Sequence, residues 1–464
     1  MNRGIELAVN TTILTIGRIS TQCINFLLLP LYTTLLDVSD FGKYDLVTTY
    51  IVLFLPLVNW QYDQGVFRFV LDCRDKITER VSIFTTALFR VIKNSLIFGF
   101  VALPISLFYD FYIGLYLITS VFLQGILSIA MQYARGMGLN KTYSIASFLS
   151  AFLTILFNVL ALTYFNLKFY GLLISSLLSQ LMTIMFLFNA LKLWEYINTS
   201  NINNVVNNTL KSYSIPLIPN NLAWWFLNAS NRSLIAFFLG TYSNGLYSVA
   251  SKFSDGFINF YNVFNLSWSE NISLHFNDSD KNIYLEKSIS ILLKLFASIC
   301  SLVLVILPFV FSYLVNEKFV DSYIHIPILM LASYFRVIVG LYSGIYIAAK
   351  DSKSVAITSV YAAIINFSVC IVLIKFIGVL AASIATLVAF AGMALFRYYD
   401  IKKIYGISIN KKTILTITLQ LSLAMTMYCN NSFWFHVVGL FFVALSCIYQ
   451  NYILFKYGKD LLIK

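Results

Sequence analysis

The sequence predicts an all-α polytopic membrane protein of about 14 transmembrane helices, forming two related six-helix bundles around a central cavity plus two C-terminal helices. Three observations carry this reading. The chain is 59% hydrophobic and only 11% charged, against roughly 25% charged in a soluble domain. Apolar runs close to the ~20 residues that a spanning helix needs recur along its whole length. Short stretches of the first half also return in the second half at a nearly constant offset.

The apolar runs fall at about 10–36, 44–62, 82–108, 112–133, 143–165, 170–190, 213–239, 246–267, 288–313, 324–348, 354–376, 380–397, 413–429 and 433–455. The first lacks a small-x-small cleavage site and is too long for a signal-peptide core, so it is read as the first spanning helix. Lys168-Phe-Tyr-Gly-Leu-Leu-Ile-Ser-Ser176 is similar to Lys375-Phe-Ile-Gly-Val-Leu-Ala-Ala-Ser383, Gly42-Lys-Tyr44 to Gly245-Leu-Tyr247, and Arg90 to Lys294. Each match keeps its place in the hydropathy pattern. The predicted organisation is an N-terminal bundle over 1–195, an asparagine-rich cytoplasmic connector over 196–212, a C-terminal bundle over 213–405, and two extra helices with a tail over 406–464.

A net charge of +12 would suggest nucleic acid in a soluble protein. Here topology absorbs it. With the N-terminus inside, Arg68, Arg74, Arg80, Arg135, Lys141, Lys211, Lys287, Lys353 and a cluster of Arg397, Lys402, Lys403, Lys411 and Lys412 all fall in cytoplasmic segments. Lys43, Lys168, Lys318 and Lys375 fall outside. This asymmetry sets the expected orientation, a multi-pass membrane protein with a cytoplasmic N-terminus. The six cysteines and three histidines show no CxxC or HExxH spacing, so neither a metal site nor a cofactor is expected.

Ionisable residues inside apolar runs are the candidate site, because a charge in hydrocarbon is costly and is kept for function. On the first run, Thr11, Thr15, Arg18, Gln22 and Asn25 fall on one helical face; Arg18 is read as a cavity cation or as a snorkelling side chain. The stretch Ser214–Asp255 carries Asn221, Asn228 and Arg232 at helical spacing, then Lys252 and Asp255, with Asn259 and Asn262 following Asp255. A turn at Thr241–Asn244 would set Arg232 and Lys252 at equal depth on adjacent helices. Pro216 and Pro219 should disturb the hydrogen-bond ladder ahead of these residues. Arg336 lies near the middle of run 324–348, out of snorkelling range; it reads as a cavity cation or as a structural partner of Asp255. Asp63 is either a solvated helix-end carboxylate or an ion-coupling site, and Asp255 either an ion-coupling site or a partner of Lys252. Trp224, Trp225 and Trp268 could stack on sugar rings or anchor the protein at the interface.

A family likeness runs through these same residues. Gly17-Arg18, Leu29-Pro-Leu-Tyr32, Phe41-Gly-Lys-Tyr44, Ile215-Pro-Leu-Ile-Pro219, Asn228-Ala-Ser-Asn-Arg232 and Gly245-Leu-Tyr-Ser-Val-Ala-Ser-Lys252 resemble Wzx-type oligosaccharide flippases. These polysaccharide transporters share a superfamily with MATE drug exporters and peptidoglycan lipid flippases. The resemblance implies movement of undecaprenyl-diphosphate-linked oligosaccharide repeat units to the outer leaflet by alternating access, for O-antigen or capsule, with a polysaccharide polymerase and a chain-length regulator as further partners. It also implies a cation-lined cavity holding Arg18, Arg232 and Arg336. The residues argue the same way, since arginine binds phosphate oxygens through a planar fork and keeps its charge when buried.

Two other classes compete. A MATE-like cation or drug antiporter would want interior carboxylates, and cations outnumber them in the predicted spans. A membrane-embedded sugar polymerase or ligase would want catalytic carboxylates or histidines on a sizeable outer loop, and every predicted outer loop is short. The expected protein is therefore a transporter and not an enzyme, coupled to a proton or sodium gradient if Asp63 or Asp255 is a coupling site.

Overall fold

A computed structural model describes residues 28–462 apart from 277, 279, 350 and 431. The polar stripe with Arg18, Gln22 and Asn25 lies outside the described residues. Those residues form sixteen α-helices joined by 3₁₀ turns and one π-turn, with no strand. Among the described residues, ten helical segments are long and apolar enough to cross a membrane. Each coincides with one of the fourteen expected runs. Of the other four, run 10–36 falls largely outside the described residues. Runs 213–239 and 246–267 carry the breaks and polar residues described below, and run 413–429 is a helix rich in threonine.

Contacts group the chain into two compact units, Met1–Ala236 and Phe237–Lys464. The boundary drawn from the internal likeness at 196–212 concerns sequence similarity; the contact boundary falls further on.

In the first unit, α1 (Leu29–Leu35) begins with Pro30, whose fixed φ suits a first helical turn. The next helix, α2 (Val38–Asn59), ends abruptly: Trp60 and Gln61 take φ of 52° and 56°, in the left-handed region that costs an L-residue about 1 kcal/mol or more. The chain then resumes as α3 (Tyr62–Asp72). Surrounding groups hold this break. Trp60 packs edge-on to Tyr62 at 6.0 Å, Lys211 lies over the Trp60 ring at 5.6 Å, and the Tyr62 hydroxyl donates to Asn207 Oδ1 at 3.1 Å.

Two long helices follow, α4 (Ile77–Tyr109) and α5 (Phe111–Gly136), hinged at Asp110, whose carboxylate accepts from the Ile113 N–H at 3.1 Å. Helix α6 (Asn140–Val159) runs on through a π-turn to Tyr164 and is followed by α7 (Lys168–Ala190). The connector that comes next is docked on α4. Thr85 donates to the Tyr196 carbonyl at 2.8 Å, Ser82 donates to that of Asn201 at 3.0 Å, and Thr86 accepts from the Asn203 N–H at 3.1 Å. It leads into α8 (Asn204–Ser214) and, after a 3₁₀ turn at Ile215–Leu217 that carries Pro216, α9 (Ile218–Asn228). The prolines break the ladder as expected. Tyr62, Phe84, Tyr133, Leu187, Phe188 and Leu210 form the buried core where α3, α4, α5, α7 and α8 meet.

Helix α10 (Ser230–His275) is interrupted at Gly240, where φ of 85° and ψ of 174° suit only glycine. The break therefore falls just before the expected turn at Thr241–Asn244. In the second unit, the part of α10 after Gly240 packs on α11 (Lys281–Leu314): Phe257, Phe260, Tyr261 and Phe264 all pack on the buried Phe296 ring, at 5.3–6.3 Å. The unit continues through a 3₁₀ segment (Glu317–His325) into α12 (Ile326–Ala348), α13 (Ser352–Ile377), α14 (Leu380–Tyr405), α15 (Lys411–Tyr428) and α16 (Phe433–Leu462). Outward-facing positions carry large apolar side chains such as Phe100, Phe108 and Phe376. A solvated surface would not tolerate that density of exposed rings, and lipid does. The chain is a multi-pass membrane protein.

Candidate functional site

Within the first unit, Arg232 Nε stands 2.9 Å from Asp45 Oδ2, with both side chains largely buried. Asp45 sits on α2, where its carbonyl accepts from the hydroxyls of Thr48 and Thr49 at 2.9 and 2.7 Å. The Trp225 indole donates to the Thr49 carbonyl at 2.9 Å, docking α9 on α2 one turn beyond Asp45. Asn228 bonds its own helix, donating to the Trp224 carbonyl at 2.8 Å, and Asn221 does the same to Leu217 at 3.4 Å. Asn221, Trp224 and Asn228 remain half-buried. Trp225 is not available to stack on a sugar, because its ring is buried and its N–H is committed to backbone.

Asp63, at the start of α3, is buried, which excludes the solvated helix-end reading. Asn59 Nδ2 donates to its Oδ1 at 3.1 Å and to Ser128 Oγ at 3.0 Å, while Gln64 Nε2 donates to Oδ2 at 2.6 Å. All of these partners are neutral. Burial pushes the Asp63 carboxyl above the usual carboxylate range, opposed by the Gln64 bond.

Within the second unit, Arg336 lies on α12 with its guanidinium 5.8 Å from the Phe390 ring centre. Asp255 and Tyr261, both on α10, are the ionisable groups that act on it. Asp255, half-buried on α10, thus stands near enough to Arg336 to act on it electrostatically. Lys252 and Asn259 are half-buried on α10. Close packing of α10 on α12 depends on two glycines one turn apart. A Cβ on Gly340 would meet the Tyr261 hydroxyl at 2.2 Å, and one on Gly344 would meet Ile272 at 3.0 Å and Trp268 at 3.1 Å. Trp268 is buried and donates to the Leu341 carbonyl at 3.2 Å, so it too is structural.

Arg397 departs most from its sequence reading. Counted there in a cytoplasmic cluster, it is 0% exposed. Its guanidinium donates to the Val339 carbonyl at 3.1 Å, the Val355 carbonyl at 3.2 Å, Thr358 Oγ1 at 2.7 and 3.0 Å, and Ser343 Oγ, tying α14 to α12 and α13.

The family model described as polysaccharide biosynthesis protein matches residues 7–268, more than half of the chain. The chain belongs to this family. No curated protein matches it. Among solved structures, the lipid II flippase MurJ in an inward closed conformation aligns over 98% of this chain and 100% of its own, at 15% identity and a TM-score of 0.68. An inward-facing multidrug resistance MATE family transporter of the MOP superfamily aligns over 85% of this chain and 99% of its own, at 14% identity and 0.65. A MOP superfamily transporter from Pyrococcus furiosus, described by a binding pocket of reverse polarity, aligns over 85% and 95%, at 15% identity and 0.53. At these identities the likeness establishes a shared fold, so this member of the polysaccharide biosynthesis family has the helical fold of MOP superfamily transporters.

Asp45, Arg397 and the Gly340–Gly344 pair escaped the sequence reading. Only the last had a usable signal there, since Gly340-Leu-Tyr-Ser-Gly344 is a small-xxx-small motif of the type that brings membrane helices close.

Proposed function

We propose that this protein translocates undecaprenyl-diphosphate-linked oligosaccharide repeat units from the cytoplasmic to the outer leaflet of the bacterial inner membrane, by alternating access and with its N-terminus in the cytoplasm, for O-antigen or capsule synthesis. It moves its cargo intact and is not an enzyme. The observation that carries this reading is the largely buried Arg232–Asp45 ion pair of the first unit, beside a second arginine, Arg336, on which Asp255 acts electrostatically in the second unit. An uncompensated guanidinium in a low-dielectric site costs several kcal/mol, roughly, and the carboxylate meets that cost while no substrate is present. A diphosphate offers the guanidinium fork the same oxygen geometry with more charge, and exchanges for the carboxylate. Arg18 and Lys252 add cations on the substrate's path. Gln22, Asn25, Asn221, Trp224, Asn228 and Asn259 serve its sugars, and Asp63 and Asp255 are the candidates for a coupled proton or sodium ion. Membership in a polysaccharide biosynthesis family and a fold shared with a lipid II flippase support the same cargo class.

A second reading, a cation or drug antiporter, draws on the buried carboxylates of Asp45 and Asp63 and on the fold shared with MATE transporters. A deletion strain separates the two. If the proposal holds, lipid-linked repeat units accumulate in the cytoplasmic leaflet and surface polysaccharide is lost; wild type restores both, and Arg232→Ala and Arg336→Ala at matched membrane levels do not. Unchanged repeat units with altered drug susceptibility would move the assignment to the antiporter.

A further inference from the structure

In the second unit, a cavity of about 390 Å³ opens between α11, α15 and α16, and its chemistry differs from the apolar surface around it. Lys294 of α11 and Lys412 of α15 line it together with Thr413, Thr416 and Gln450. Among the described residues no acidic side chain lines it, and neither lysine makes an ion pair. Two ammonium groups that share a cavity without a counter-charge repel one another, and an anion between them relieves that repulsion. The first turn of α15, capped by the Asn410 side chain on the Lys412 N–H at 2.9 Å, adds the positive end of its dipole.

Gln450 supplies a second, different requirement. Its Nε2 donates to Ser446 Oγ at 3.2 Å, while its Oε1 is buried without a hydrogen-bond partner. That oxygen accepts and cannot donate, so it wants a hydroxyl close to the anion. The surroundings indicate where such a ligand comes from. Tyr449 and Tyr452 at the cavity are 82% and 64% exposed, and Leu415, Leu419 and Ile448 are exposed on the same two helices. This is the pattern of a membrane interface, with aromatic residues at headgroup level beside a lipid-facing apolar surface.

We propose that this cavity binds the headgroup of an anionic glycerophospholipid, with the phosphate between Lys294 and Lys412 and a headgroup hydroxyl donating to Gln450 Oε1. The site lies at the end of a polar seam. One turn further along α11, Ser298 accepts from Asn451 at 2.8 Å and from Gln420 at 3.4 Å, so α15 and α16 meet α11 through polar groups. A bound headgroup closes the open end of that seam and fastens the C-terminal helix pair to α11. The inference does not depend on what the protein transports.

The test uses the full chain purified into nanodiscs of phosphatidylcholine alone or with phosphatidylglycerol, read by native mass spectrometry for retained lipid and by thermal melting. Wild type should retain one phosphatidylglycerol in preference to phosphatidylcholine and melt higher in its presence. Lys294→Gln/Lys412→Gln should retain it about tenfold less or weaker still, with melting in phosphatidylcholine alone unchanged. Should that variant fail to fold, Lys412→Glu, a change at an exposed side chain, should show the same loss. Gln450→Leu should narrow the preference for phosphatidylglycerol over phosphatidic acid, which lacks the headgroup hydroxyls. Equal retention of phosphatidylcholine and phosphatidylglycerol by wild type, or undiminished retention by the lysine variants, would overturn the proposal. Inorganic phosphate raising the melting point in phosphatidylcholine as much as the lipid does would assign the cavity to a free anion instead.

Discussion

Asp45 and Arg232 are separated by nearly two hundred residues of chain, yet their side chains close to 2.9 Å as a largely buried ion pair between α2 and the first turn of α10. Breaking such a pair strands one charge, at a cost of about 3 kcal/mol or more. Asp45→Ala and Arg232→Ala should therefore each lower the melting temperature and the membrane level, and the double variant should recover most of that loss. Surface polysaccharide should stay absent in the double variant, because the phosphate partner is gone. Export regained there would reduce Arg232 to a structural role.

The second arginine is held by packing as much as by charge. Gly340 lies one turn beyond Arg336 on α12, and the Tyr261 ring fills the space where its Cβ would be. Gly340→Ala should destabilise the protein by about 1–3 kcal/mol through overpacking. Adding Tyr261→Leu, which removes the end of the ring, should restore part of it, a coupling that thermal melting of the two single variants and the double variant measures directly. Additive losses would mean that the two helices do not depend on this contact.

What the sequence revealed and what it concealed have different physical causes. Spanning helices announce themselves locally through runs of apolar residues, and Arg336 through its depth in one of those runs. Asp255 was named as its possible partner for the same reason: few acids share those runs. Asp45 was hidden because it lies near the start of α2, close to Asp40 and Lys43, where charged residues look like an ordinary solvated helix end. Arg397 was hidden by its neighbours Lys402 and Lys403, which are exposed. Linear charge counting cannot see a helix face turned inward. Trp225 and Trp268 pair with carbonyls on other helices, and no local pattern reports such a bond.

Asp63 predicts a pH dependence. Because burial raises its carboxyl above the ordinary value, the folded protein holds this proton more tightly than the unfolded chain does. Its contribution to stability is then fully present below the usual carboxylate value and is lost as pH rises through the raised one. The melting temperature of wild type should fall across that window relative to Asp63→Asn, which cannot titrate. Parallel curves for the two proteins would show that folding leaves the Asp63 carboxyl at its ordinary value, and would remove it as a proton site tuned by burial.

Arg397 gives the sharpest stability prediction. It is fully enclosed, and its five N–H groups go to two carbonyls and two hydroxyls on α12 and α13. Such a network is worth keeping only when complete, since bonds to the enclosed charge, at about 1.5–3 kcal/mol each, are what offset its desolvation. Lysine keeps the charge but presents three donors from one point and cannot span Val339 and Val355 together. Arg397→Lys should therefore lower stability by about 3 kcal/mol, with the protein still inserting but melting earlier. Arg397→Met removes the buried charge along with its bonds, and should be no worse than lysine despite being the less conservative change. A lysine variant that melts like wild type would mean that the site needs only a positive charge and that its hydrogen-bond geometry is incidental.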